Sequence, residues 1–431
     1  MADPTTDPEI SFTQIDVDLD IQDILLTASQ HDIPKLRRLV RTQSALPDAS
    51  NVKDPETGYT PLHSAIAACE LEAETETEDA KKQEEHAELL KSGAETVRFL
   101  LQEGAIWNDL DNNDETPGCL ARRIGATELY DMIVDAGVRA EMLLSRLEGY
   151  EELSDGDDED EEEEGEEGAE ATQTEAQAGV EVELEGDAPE LVDASEAHVA
   201  VATTTGERLA NPSVSNTGYL DSSLNITTDR ILDADQNGVM MSWESSIMKK
   251  SAQNLLPRPG LKVLNVGHGM GIVDGFFQEQ SPAAHHIIEA HPDVVVEMKK
   301  RGWDSKPGVV IHEGRWQDIL PGLIESGETF DAVYYDTFAE SYADFRDFFS
   351  EQVIGLLEQE GKWGFFNGMG ADRQISYDVY QKVAEMDLFE AGFDVEWEDI
   401  PVPKLDGEWE GVRRAYWVVD NYRLPLCRFM D

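Results

Sequence analysis

Basic residues, cysteines and long apolar runs are all scarce in this sequence. Lys and Arg number 33 against 91 Asp and Glu, a formal charge of −58 at pH 7. Nucleic-acid binding needs clustered Lys and Arg to displace counterions from phosphates, so DNA and RNA are disfavoured as primary partners and no direct nucleic-acid contact is expected. Three cysteines, Cys69, Cys119 and Cys427, are scattered and odd in number. They make no disulfide framework and point to a reducing compartment. No apolar run approaches the roughly 18 residues of a membrane span, and the acidic first twenty residues lack the apolar centre of a secretory signal. The expectation is a soluble, intracellular protein with no membrane partner.

A chain of 431 residues is too long for one ordinary core, so two domains and connecting material are expected. The charge is concentrated: residues 151–167 hold 13 acids in 17 positions, and no Lys or Arg occurs between Arg146 and Arg208. Such a run cannot bury enough apolar surface to offset its ordering entropy. It reads as a disordered linker over 151–210, between domains at 1–150 and 211–431. Its acidity suits either a basic protein partner or a plain solvated spacer.

In the first domain, Thr60-Pro61-Leu62-His63-Ser64-Ala65 fits the ankyrin pattern T-P-L-H-x-A. Thr60 is placed to cap a helix, Pro61 sits in its first turn where a missing N–H costs nothing, and His63 belongs to the turn's hydrogen bonding. A weaker copy begins at Thr116-Pro117, 56 residues on, against about 33 for one repeat. The excess nearly equals the acidic stretch Glu70–Gly93, read as an insertion. Thr96–Ala105 and Thr127–Gly137 read as second helices closing on glycine, and Asp23–Val40 as a capping helical pair. An all-α ankyrin-repeat module of this kind binds a protein partner.

From Leu261 short apolar runs alternate with amphipathic segments, which indicates βαβ units around a parallel sheet. Seven strands are expected: Lys262–Val266, His286–Glu289, Val309–His312, Ala332–Asp336, Trp363–Asn367, Asp394–Trp397 and Ala415–Val419. The first runs into Gly267-His268-Gly269-Met270-Gly271 and then a helix, and glycines there let the backbone approach a ligand. Alone, this loop would serve a dinucleotide equally well. Glu289 follows at the end of the second strand, placed for ribose hydroxyls, and Trp316-Gln317 after the third is placed for an adenine. With Asp336 ending the fourth, these groups gather at the carboxyl edge where open α/β sheets bind ligands. Ile272-Val273 stand where a pyrophosphate loop would carry its third glycine, which favours S-adenosyl-L-methionine over a nicotinamide cofactor. No metal is called for.

Ahead of the sheet, Met240, Trp243, Ile247 and Met248 recur at helical spacing and read as a core stripe, with Glu244 beside them. V-M-x-x-W-E-x-x-x-M, V-L-x-V-G-x-G-M, H-x-I-I-E, G-x-W-x-D and F-D-x-x-x-Y-D-T follow in order over about residues 219–425. This set resembles guanidinoacetate methyltransferase. With the ankyrin pattern and acidic linker, the whole resembles the fungal protein arginine delta-nitrogen methyltransferases. The resemblance implies a Rossmann-like seven-stranded methyltransferase domain and a protein substrate, a ribosomal protein, with cytoplasm and nucleus as locations. It places the donor at Tyr219, Met248, His268, Gly269, Met270, Gly271, Ile272, Val273, Glu289, Ala290, His291, Trp316, Gln317 and Asp336, and gives Glu244 and Asp336 the guanidinium. The segment after the fifth strand, Phe366–Ala371, is glycine-rich and lacks hydroxyls, which suits an arginine within a protein better than a free guanidino acid. The alternatives are a small-molecule guanidino methyltransferase and an inactive ankyrin adaptor.

Overall fold

The computed structural model describes residues 12–43, 46, 48–71, 80–154 and 216–430. The acidic segment expected at 151–210 lies, from residue 155 on, outside them. By internal contacts, the described residues up to Leu144 and those from Asn216 onward form one compact unit.

Among the described residues the N-terminal part carries α-helices α1 (Phe12–Ser29), α2 (Ile33–Arg38), α3 (Pro61–Ala67), α4 (Ala80–Gln102), α5 (Pro117–Arg123) and α6 (Thr127–Ser154). Thr60 and Thr116 cap α3 and α5, each followed by proline in the first turn. His63 closes the α3 capping box and reaches the Glu115 carbonyl with its other ring nitrogen, at 3.1 Å. The helix starting at Thr127 does not end at Gly137 as its pattern suggests; it runs on to Ser154. Gly137 serves close packing instead. A Cβ there would lie 2.7 Å from Val379 and 3.0 Å from Trp107, and one on Gly118 would lie 2.5 Å from Ile375.

The C-terminal part carries a seven-stranded sheet: β1 (Lys262–Val266), β2 (Ala284–Glu289), β3 (Val309–Glu313), β4 (Phe330–Tyr335), β5 (Leu357–Phe365), β6 (Phe393–Pro401) and β7 (Asn421–Phe429). Their order is β3-β2-β1-β4-β5-β7-β6, parallel except for β7, which runs antiparallel to both neighbours. This is the Rossmann-like methyltransferase arrangement. A small antiparallel sheet of Asn225–Ile226, Arg230–Leu232 and Gly238–Met241 precedes it. The helices used below are α7 (Ser245–Leu255), α8 (Ile272–Glu279), α9 (Pro292–Lys300), α10 (Trp316–Glu325) and α11 (Gln374–Glu390).

The strand expected at Ala415–Val419 is absent, and β7 lies six residues later. Pro425 disguises it, since proline within a run argues against an interior strand. In the sheet, β7 meets β5 in register at Cys427 and Trp363, and Pro425 itself stands opposite Trp397 of β6. Residues 415–419 instead form irregular backbone carrying buried Tyr416, Trp417 and Val419.

Helix α11 belongs to two cores. Ile375, Val379 and Val383 pack among the N-terminal helices, whereas Ala384 and Leu388 pack with the sheet. The Tyr130 hydroxyl donates to Asp378 at 2.5 Å and the Tyr380 hydroxyl to Glu141 at 3.2 Å. Overpacking a core of this kind costs about 1–3 kcal/mol. Gly137→Leu is therefore expected to destabilise the full chain by about that amount, read as a lower denaturant midpoint.

Candidate active site

Strand β1 delivers the glycine loop, and a buried network holds it. Asp274 on α8 accepts from the His268 ring at 2.6 Å, the His285 ring at 2.8 Å and the Asn265 amide at 2.9 Å. Burial alone would raise its pKa, but the two imidazoles and their hydrogen bonds outweigh it and bring the group down to about 2. With its side chain so engaged, His268 turns its backbone N–H to Glu289, at 2.8 Å. Gly267, Gly269 and Gly271 all have positive φ. A Cβ on Gly267 would stand 1.9 Å from the Asp336 carbonyl oxygen, so only glycine lets the loop lie against the end of β4.

Beside this loop is a cleft of about 620 Å³ whose lining includes Tyr219, Gly269, Glu289, Ala290, Trp316 and Asp336. Glu289 receives the N–H of His291 at 2.7 Å on one oxygen, and those of His268 and Gly269, at 2.8 and 3.3 Å, on the other. The first oxygen keeps acceptor capacity for a ribose hydroxyl. The Tyr219 ring packs on His291 and Phe338, with centroids 4.8 and 4.9 Å away. The remaining donor-site expectations lie around the cleft rather than in its lining. His268 and His291 are buried supports, and Met248 and Val273 are core residues with Ile272 and Met270 packed against them. Gly271 caps α8, and Gln317 reaches Glu340 at 3.4 Å.

A second cavity, about 1120 Å³, is lined by both Glu244 and Asp336. The two cavities share Val239, Asp336, Thr337, Phe338 and Glu340, so a group in one is adjacent to a group in the other. Glu244 sits in the short turn between the small sheet and α7, buried, and accepts the Tyr416 hydroxyl. Burial, then the charge of Asp336, holds its pKa well above the ordinary carboxylate range. Asp336 has one carboxylate oxygen buried without a hydrogen-bond partner. Burial, followed by the charges of Asp274 and Glu289, raises it to about 7. Three carboxylates line this cavity, and no Lys or Arg does. Ionised carboxylates in such a place require a cation to be stable.

Two contributors were not legible from the sequence. Tyr416 comes from the segment misread as a strand. Glu340, four residues beyond Asp336, lines both cavities and gathers the Trp316 indole N–H at 2.9 Å, the Thr337 hydroxyl at 2.7 Å and the Tyr335 hydroxyl. Its only sequence signal is position, an acid just past the end of β4. Among the described residues no group of three or more His, Cys, Asp or Glu is placed to hold a metal.

The raised pKa of Asp336 has a consequence for stability. Between about pH 4 and 7 the folded chain holds a proton that the unfolded chain has lost, so this residue's contribution falls as pH rises through that window. Asp336→Asn removes the dependence. The melting temperature of the variant is expected to rise relative to the parent from pH 5 to pH 8, measured by thermal unfolding; a constant difference contradicts the raised pKa.

Residues 220–401 match the sequence profile of guanidinoacetate N-methyltransferase. The chain is 67% identical to "Protein arginine N-methyltransferase 2" of Aspergillus fumigatus, with all of both chains covered. The protein of the same name from Aspergillus oryzae is also 67% identical over all of both chains. That from Emericella nidulans is 65% identical over 97% of this chain and 99% of its own.

Proposed function

We propose that this chain, which belongs to the family of fungal proteins named protein arginine N-methyltransferase 2, methylates the internal, delta nitrogen of an arginine in a protein, with S-adenosyl-L-methionine as donor. The observation that carries the reading is the pair Glu244 and Asp336. They are two acids with raised pKa lining one cavity that has no basic side chain, next to a cleft fitted to a nucleoside.

Glu289 would hold the ribose of the donor, Trp316 and Ala290 would flank its base, and the glycine loop would close over it. Bound there, S-adenosyl-L-methionine supplies an electrophilic methyl group. The acceptor guanidinium stays protonated beyond pH 12, so its nitrogens are poor nucleophiles. Glu244 and Asp336 grip the two outer nitrogens and keep the positive charge there. That leaves lone-pair density on the internal nitrogen. The Tyr416 hydroxyl fixes the Glu244 carboxylate. Asp336, with a pKa near the working pH, accepts the proton released as the internal nitrogen is alkylated. Placing both reactants in adjoining cavities supplies the orientation.

In the same proposal, the capped helix pairs of the N-terminal part are ankyrin repeats that engage a protein partner. The substrate is a ribosomal protein, as the sequence resemblance implies, and the enzyme works in cytoplasm and nucleus. The match to guanidinoacetate N-methyltransferase over 220–401 favours a second reading, a small guanidino acceptor. Incubation with radiolabelled donor and cell extract separates the two. Label in a protein band that hydrolyses to delta-methylarginine is the expected result; label confined to small molecules overturns it. Asp336→Asn is expected to keep donor affinity within a few fold and to abolish transfer, with normal turnover ruling out its assigned role.

A further inference from the structure

The lining of the acceptor cavity extends beyond the two acids, and part of it is chemically different. Besides the two acids it includes Tyr342, Phe345, Phe365, Tyr380 and Ala384. These aromatics form a contiguous set: Tyr342 lies 5.9 Å from Tyr380 and 6.1 Å from Phe345, and Phe345 lies 4.6 Å from Phe365, by ring centroids. Both tyrosine hydroxyls are engaged elsewhere, Tyr342 by Asp387 at 2.6 Å and Tyr380 by Glu141. Neither acceptor lines the cavity, so this section offers the cavity ring carbon and the Ala384 methyl.

Ala384 is the small side chain that stands among these rings in the lining. The wall is α11, which the N-terminal helices hold from behind through Ile375, Val379 and Val383. An apolar chamber continuous with a site for a cation calls for a ligand with a guanidinium and an apolar group a few bonds apart. We propose that the chamber is a subsite for the apolar side chain of a residue flanking the target arginine, so that the enzyme selects arginine beside a hydrophobic neighbour. This rests on the arginine reading of Glu244 and Asp336. Charge complementarity places the guanidinium at the acids, and the carbon lining leaves an apolar group as the fitting occupant of the rest. Ring burial of this kind tightens binding by about tenfold or more.

Two synthetic probes test it on the full chain by isothermal titration: butylguanidine, which carries only a stem, and 4-phenylbutylguanidine, which adds a ring. The ring is expected to improve affinity about tenfold or more. Ala384→Leu, which fills the chamber, is expected to remove that gain while butylguanidine affinity stays within about twofold; Ala384→Val serves if the leucine variant unfolds. Equal affinities in the parent chain, or a gain that survives in a folded filled variant, overturn the subsite. If butylguanidine binds the parent, loses affinity in Asp336→Asn, and gains nothing from the ring, the subsite alone falls. If neither guanidine binds the parent chain, the arginine reading falls with it.

Discussion

Asp274 has no access to solvent, and the catalytic edge of the sheet is arranged around it. By holding the side chains of His268, His285 and Asn265 it joins β1, β2, α8 and the glycine loop in one network. Order then passes outward through the backbone. His268 and Gly269 present N–H groups to Glu289, Glu289 takes another from His291, and the His291 ring meets the Tyr219 carbonyl at 3.1 Å. A buried carboxylate with satisfied partners is a rigid joint, because every displacement exposes a charge to a low dielectric. The loop is shaped by that constraint, and the cleft is shaped by the loop.

The acceptor side obeys the opposite rule. Glu244 has a phenolic partner, whereas Asp336 leaves one oxygen unsatisfied. On one edge of the sheet, Asp274 is driven down to about 2 by imidazoles and Asp336 up to about 7 by burial and like charge. The contrast separates a structural carboxylate from one suited to exchanging a proton. The surplus negative charge of the whole chain matters less to this than local geometry, since only three carboxylates line the cavity.

Much of this was legible in the residues. Strand β1 was located to the residue, because a run of apolar residues ending in glycines has one reasonable reading. The family resemblance named Glu244 and Asp336 together, and both line one cavity. What failed was whatever depends on distant packing. Gly137 looks like a helix stop, yet α6 continues because the glycine's job is to admit Val379 from a helix over two hundred residues away. Residues 415–419 are an apolar run that reads as a strand, yet they bury Tyr416, Trp417 and Val419 from an irregular segment, and Pro425 masks the real strand. His268 sits in the loop most exposed to ligand but turns its ring inward to Asp274, a choice that only the buried carboxylate dictates. Glu340 went unnoticed because its role is set by Trp316, Tyr335 and Thr337 together, and spacing shows only one of them at a time.

The helix α11 also sets an order of events during synthesis. The N-terminal helices leave the ribosome before the sheet, but three of the side chains that complete their core, Ile375, Val379 and Val383, lie more than two hundred residues beyond the end of α6. Until those emerge, an apolar face waits uncovered for a partner that closes a loop of 248 residues between Tyr130 and Asp378. Contacts so distant along the chain form slowly. The two halves of the nascent protein therefore reach their final state together, and a chain halted before residue 375 carries a permanently open hydrophobic seam, the kind of surface that chaperones and degradation enzymes recognise.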